Sequence, residues 1–172
     1  MGEVARTLVS LAGPSAVIGV IPEPLLGYER SHNADGTKRN DPAELIDSNT
    51  YGHTIVVPDM HTRKQLMAAH VAAGAQGSGF VALSGGYGTM EELMEMTTWN
   101  QLNIHKLPVV LYSVEDYWSG LLAWVEKAVE SGFVSESNKG IIAEGKSAEE
   151  VVERLRDYKV SDGAFKLDWT KR

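Results

Sequence analysis

Apolar residues in this chain fall into short, near-continuous runs separated by longer segments of helical periodicity. Val17-Ile18-Gly19-Val20-Ile21, Ile55-Val56-Val57, Phe80 to Leu83 and Pro108-Val109-Val110-Leu111-Tyr112 are the runs. That pattern predicts parallel strands buried on both faces. Between them the sequence predicts helices over Val4–Leu11, stopped by Gly13-Pro14, and over Met60–Ala73, stopped near Gly74. A third runs from an Asp116 cap to Glu130, ahead of Gly132. A weaker strand at Gly140–Ala143 leads into a last helix opened by the capping box Ser147-Ala148-Glu149-Glu150. Strands alternating with helices give an α/β fold, Rossmann-like, with an open, mostly parallel sheet of at least four strands and helices on both faces. Residues 1–158 read as one such domain and 159–172 as a C-terminal tail.

The helix over Met90–Leu102 departs from simple amphipathicity, because Met90, Leu93, Met94, Met96, Trp99 and Leu102 surround most of its circumference. A second covering element is required, either within the chain or from another copy of it. Gly27 to His53 is long and polar for a connection inside a compact domain, and reads either as an exposed insertion or as a lid. Val71 to Gly79 reads as a flexible loop.

Composition narrows the classes. A chain of 172 residues suits one domain with a proper core. The net charge of −7 argues against nucleic-acid and membrane partners, while leaving room for a local basic site. With no cysteine, disulfides, thiolate catalysis and zinc ribbons are excluded. No leader and no apolar run of about 18 residues is read, so a cytoplasmic location is expected. The five histidines show no metal-ligand spacing.

Two strand-to-helix junctions carry the chemistry. Ser84-Gly85-Gly86-Tyr87-Gly88-Thr89-Met90-Glu91-Glu92 follows the Phe80 run. Its glycines are expected to take positive φ, and the start of the following helix favours an anion, with phosphate the first ligand to consider. The motif is neither a P-loop nor the dinucleotide pattern GxGxxG. The structural alternative is a tight turn with a capping box, Thr89 as cap and Glu92 reaching back. The second junction, Asp59-Met60-His61-Thr62-Arg63-Lys64, is expected to open a helix with Asp59 as N-cap. Arg63 and Lys64 then oppose the helix dipole and ask for an anion, unless they are ordinary solvated charges. In doubly wound sheets such junctions lie at the strands' carboxyl ends, where ligands bind.

Met60-His61-Thr62-Arg63-Lys64, Gly85 to Glu92, and Thr98-Trp99-Asn100-Gln101-Leu102-Asn103-Ile104-His105 resemble the successive signatures of the LONELY GUY family. These are cytokinin riboside 5′-monophosphate phosphoribohydrolases whose members are often labelled lysine decarboxylases. The resemblance runs from Met1 to about Tyr158. It implies hydrolysis of the N-glycosidic bond of N6-substituted adenosine 5′-monophosphates, releasing cytokinin base and ribose 5-phosphate, without a cofactor. It assigns Arg63 and Glu92 as catalytic. Met60, Lys64, Gly85, Gly86, Tyr87, Gly88, Thr89 and Glu91 become substrate-binding, and the protein a homodimer with sites near its interface. A carboxylate beside C1′ suits the oxocarbenium-like charge that develops there, which points to Glu92 facing the sugar while residues 85–89 hold the 5′-phosphate. Arg63 would orient Glu92 or bind ligand, and His105 reads as a structural or capping residue.

The chain departs from the family pattern in two places. Ser84 replaces the usual proline, and Met1-Gly2-Glu3 reads directly into a helix where the family carries a preceding strand, helix and strand. The alternative expectations are therefore a non-catalytic nucleotide-sensing module or an inactive fragment. A lysine decarboxylase would have only Lys106 to offer as a cofactor lysine.

Overall fold

A computed structural model describes residues 2–26, 47–167 and 169. The chain divides into two compact units, Met1–Ala69 and His70–Arg172, each with its own parallel sheet. The architecture is Rossmann-like α/β, with every described strand pair parallel.

In the first unit, helix α1 (Gly2–Ala12) ends where the Gly13 N–H reaches the Val9 carbonyl at 2.8 Å. A 3₁₀ turn, Pro14–Ala16, turns the chain into β1 (Ile18–Pro22). β2 (His53–Val57) lies beside β1 with Ile18 opposite His53 and Pro22 opposite Val57. Ahead of β2, Asp47 caps the helical turn Ser48–Tyr51. Gly52 then takes φ 82°, where an added Cβ would lie 2.5 Å from Val17 Cβ; no other residue fits there without strain. Helix α2 (Met60–Ala72) leaves the carboxyl end of β2. The long segment read as an insertion or lid lies, over 27–46, outside the described residues.

The second unit runs β3 (Phe80–Ala82), α3 (Tyr87–Gln101), β4 (Val109–Tyr112), α4 (Ser119–Glu130), β5 (Ile142–Gly145) and α5 (Ala148–Arg156). Its sheet has the order β3–β4–β5. β4 is central and is the core of the unit, with Val110 and Leu111 at 0 % exposure. Leu93, Met96, Trp118, Val125, Ala128, Ile141 and Val151 are buried with it.

Burial on both faces, expected of every strand, holds for β4 alone. Ile18, Val56 and Val81 are all exposed. β4 is the one described strand flanked on both sides, while β1 and β2 form a two-stranded sheet and β3 and β5 are its outer strands. The element between Ala72 and Phe80 is a compact turn, with the Gly74 N–H on the Val71 carbonyl and the Ser78 N–H on the Ala75 carbonyl.

Two helix starts differ from expectation. α4 begins at Ser119 with Trp118 as N-cap, because Glu115 and Asp116 take φ 52° and 56° and break the helix there. Asp116 pairs with Lys146 instead of capping. α3 begins at Tyr87, so Gly86 is its N-cap and Thr89 lies inside the first turn. The Ser147 cap forms as expected, Ser147 Oγ accepting from the Glu150 N–H at 3.2 Å, while the Glu150 carboxylate reaches back to the Lys146 N–H at 2.8 Å rather than to that of Ser147.

Beyond α5 the chain folds back on the end of α3. The Phe165 N–H reaches the Gln101 carbonyl at 2.8 Å, and Trp169 Nε1 donates to the Leu102 carbonyl at 2.9 Å. Gln101 ends α3 and Leu102 is its C-cap, where helix geometry leaves carbonyls without intrahelical donors.

Candidate functional site

The glycine junction belongs to the second unit. From the carboxyl end of β3 the chain passes through Leu83 and Ser84 to Gly85 and Gly86, and Tyr87, Gly88 and Thr89 form the first turn of α3. Gly86 offers no side chain to cap the helix, and the first intrahelical bond runs from the Met90 N–H to the Gly86 carbonyl at 3.0 Å. The N–H groups ahead of Met90 therefore look outward, with the positive end of the helix dipole behind them.

The three glycines serve different ends, and none takes the positive φ expected of it. An added Cβ on Gly85 would lie 2.2 Å from Thr89 Oγ1, so Gly85 is glycine because the Thr89 side chain folds back over it. Gly86 and Gly88 have nothing within 4 Å of an added Cβ. They keep open the space in front of the helix start. Glycine here is a matter of room, not of backbone conformation.

Further along α3, Glu91 is exposed and Glu92 half-buried. Glu92 lies five residues past Tyr87, about 7.5 Å along the axis at the usual rise per residue. A carboxylate there is displaced from the helix start by roughly the length of a sugar.

Beside the loop opens a cleft of about 750 Å³, lined by Gly85, Gly86 and Tyr87 on one side and Tyr117, Trp118 and Trp124 on the other, with Met90 and Met94 along α3. Tyr117 donates its hydroxyl to the Gly85 carbonyl at 2.7 Å. Its ring meets Trp118 edge-on, centroids 4.9 Å apart and planes at 90°. Sequence reasoning missed this aromatic wall. Its signal was Tyr117-Trp118 five residues past the end of the β4 run, on the connection that leaves the carboxyl end of a strand, where ligands bind in such sheets.

The end of α3 is fixed by buried and half-buried polar groups. Asn100, fully buried, donates through Nδ2 to the Leu107 carbonyl at 2.9 Å, and Tyr158 Oη donates to Asn100 Oδ1 at 3.1 Å. His105 Nδ1 accepts the Leu107 N–H at 3.1 Å, so its proton sits on Nε2 and is donated to the Met96 carbonyl at 2.9 Å. Burial lowers the pKa of this ring, against the opposing pull of the Met96 carbonyl. Asn100 and His105, part of the third motif, act on the helix end.

Met60, Arg63 and Lys64 belong to the first unit and sit in the opening turns of α2. Asp59 caps that helix, accepting the Thr62 N–H at 2.8 Å and the Thr62 hydroxyl at 2.9 Å. The Thr62 backbone bond, followed by its hydroxyl, holds the Asp59 carboxyl below its ordinary pKa. Arg63 is half-buried and its Nε donates to the Val20 carbonyl at 3.1 Å, tying α2 to β1. Lys64 is partly exposed and Met60 exposed.

A parallel α/β fold with a glycine junction opening on an aromatic cleft defines a Rossmann-like class of protein. Residues 1–155 match the family described as "Possible lysine decarboxylase", and the chain belongs to that family, the LONELY GUY family its motifs resemble. The chain is 44% identical over 169 residues to a bifunctional cytokinin biosynthesis protein of Fusarium pseudograminearum (strain CS3096), covering 98% of this chain and 34% of that protein. It is 42% identical over 158 residues to cytokinin riboside 5′-monophosphate phosphoribohydrolase LOG1 of Arabidopsis thaliana, covering 92% and 63%. A probable enzyme of the same name, LOGL3 of Oryza sativa subsp. japonica, is 39% identical over 158 residues, covering 92% and 64%. The chain thus spans less than two thirds of the length of these curated relatives.

Proposed function

We propose that this protein hydrolyses the N-glycosidic bond of N6-substituted adenosine 5′-monophosphates, releasing free cytokinin base and ribose 5-phosphate. The observation that carries this reading is the uncapped start of α3 behind a glycine loop, with Glu92 set back along the same helix, in a chain whose relatives bear the name of that activity. The N–H groups ahead of Met90 and the loop Gly85–Thr89 receive the 5′-phosphate, with Lys64, Met60, Tyr87 and Glu91 as further substrate contacts. Glu92 faces C1′. As the C1′–N9 bond breaks, its electron pair leaves with the base, which takes up a proton, and positive charge grows on the ribose. The Glu92 carboxylate stabilises that charge and removes a proton from the water whose oxygen bonds to C1′. Arg63 serves the reaction as a planar donor that lysine replaces poorly.

The working form is a cytoplasmic homodimer. Exposed Tyr87, Trp124 and Phe133 on the second unit support a second copy as the covering element. In the described residues no helix is long and apolar enough to cross a membrane.

The test is chromatographic detection of free base from isopentenyladenosine 5′-monophosphate, beside the dephosphorylated riboside. Release is expected from the phosphorylated substrate alone. Glu92→Gln should lower turnover by about 10²-fold or more while nucleotide binding persists, as for loss of a positioned acid–base or electrostatic group. Undiminished turnover in that variant would remove Glu92 from the reaction.

A further inference from the structure

The connection from β4 to α4 concentrates three unfavourable features in a few residues. Glu115 and Asp116 both take left-handed φ, 52° and 56°, a conformation that opposes any side chain with a Cβ. The indole Nε1 of Trp118 is buried, with no hydrogen-bond partner among the described residues, although the residue is 3 % exposed. Outliers of this kind persist only where the surrounding structure imposes them, and they gather at functional sites. The pairing of Asp116 with Lys146 holds one end of the connection. The backbone N–H of Trp118, donating to Ser113 Oγ at 3.3 Å, holds the other.

What the strained geometry achieves is the placement of one hydroxyl. Tyr117 stands on the buried Trp118 ring and donates to the Gly85 carbonyl at 2.7 Å. A trans peptide is planar, with its C=O and the following N–H pointing opposite ways. Fixing the Gly85 carbonyl therefore fixes the direction of the Gly86 N–H, the first donor of the loop. Gly85 has no side chain with which to resist rotation of that peptide, and Gly86, with nothing within 4 Å of an added Cβ, has no neighbour to resist it.

We propose that Tyr117 is a positioning residue for anion binding: its hydroxyl locks the Gly85–Gly86 peptide so that the loop presents its N–H groups, already oriented, to a phosphate monoester. The inference rests on the reading of the glycine junction as the 5′-phosphate site. It assigns to the strained 113–118 connection the work of pre-organising that site, which lowers the ordering cost of binding.

The experiment measures calorimetric binding of AMP and of inorganic phosphate to the full chain, with KM and kcat for isopentenyladenosine 5′-monophosphate alongside. Tyr117→Phe keeps the ring and removes the hydroxyl. It should weaken AMP and phosphate binding and raise KM by about tenfold, the size of one lost hydrogen bond, with kcat and the denaturation midpoint nearly unchanged. Glu115→Gly relieves one left-handed residue and loosens the support. It should keep or raise the denaturation midpoint while weakening AMP binding, a divergence that a purely structural role would not produce. Wild-type affinity in both variants would overturn the role of Tyr117. No binding of AMP or phosphate to the unmodified chain would instead overturn the phosphate reading of the loop, and this inference with it.

Discussion

The chain uses the strand-to-helix junction twice, and the two junctions are finished in opposite ways. At the start of α2 the Asp59 carboxylate accepts the Thr62 N–H and hydroxyl, so an anion is already built into the chain. That carboxylate favours the positive end of the helix dipole, which Arg63 and Lys64 in the opening turns oppose, and Arg63 Nε is turned to the Val20 carbonyl. At the start of α3 no side chain fills the cap. On the proposed reading, the anion there comes from solution. The lesson is that an N-cap carboxylate and an anion site are alternatives at a helix start. A residue with Cβ and oxygen closes the position, and a glycine leaves it open. The ends of the helix differ too. α3, open at its start, is held at its end by Asn100, His105 and the chain beyond α5.

The largest expected effect is a difference of sign between two glycines three residues apart. Gly85→Ala drives a methyl to 2.2 Å from Thr89 Oγ1 and should cost about 1–3 kcal/mol, as overpacking does. Gly88→Ala meets nothing within 4 Å and lies within α3, so the fold should gain up to about 1 kcal/mol from helix propensity. The same methyl intrudes on the open space at the helix start and should weaken AMP binding. Urea denaturation paired with calorimetry on each variant checks both signs. A stabilised Gly88→Ala with full affinity would show that the open start is not where the anion lies. A smaller effect follows at the closed junction. Asp59→Ala should lower the denaturation midpoint and make it newly responsive to added phosphate, since the Thr62 N–H is uncovered. A midpoint indifferent to phosphate would break the equivalence of built-in and bound anions.

Much of this arrangement could be read from residue order, and the failures have a common cause. Strands and helices followed from short apolar runs set between periodic segments, and both junctions were visible because glycine clusters and Asp caps act within a few residues of themselves. What stayed hidden depends on contacts distant in sequence. The glycines at 85, 86 and 88 suggested positive φ, but Gly85 is required by a side chain four residues on, and at the other two an added Cβ would meet nothing. The Thr89 capping box gave way to Gly86 as cap because the helix extends one turn earlier than its apolar pattern. Asp116 reads as a cap by its type alone, whereas Lys146, thirty residues away, holds it elsewhere. Tyr117 is marked locally only by its place past the β4 run, since its partner is a backbone carbonyl thirty-two residues earlier. At the candidate site the glycine junction was legible, and the aromatic wall across the cleft from Gly85 and Gly86 was not.

The held end of α3 carries the smallest predicted effect and the one most directly tied to pH. His105 is locked as a neutral ring, because Nδ1 is occupied as the acceptor of the Leu107 N–H while Nε2 donates to Met96. Protonation would put a hydrogen on Nδ1 and turn that acceptor into a second donor facing the first. Burial accordingly holds its pKa below the ordinary 6.5. Below pH 6.5 the unfolded chain takes up a proton that the folded chain resists, so unfolding is favoured there. The stability that His105 contributes is therefore complete above pH 6.5 and is lost as the pH falls from that value toward the folded pKa. Urea midpoints measured from pH 7.5 to 5.5 should decline more steeply in the wild-type protein than in His105→Gln, whose amide keeps a donor for the Met96 carbonyl and does not titrate. Matching slopes would mean that the helix end is held without the neutral ring. The open start of α3 would then owe its geometry to Tyr117 and the β4–α4 connection rather than to the anchoring of its far end.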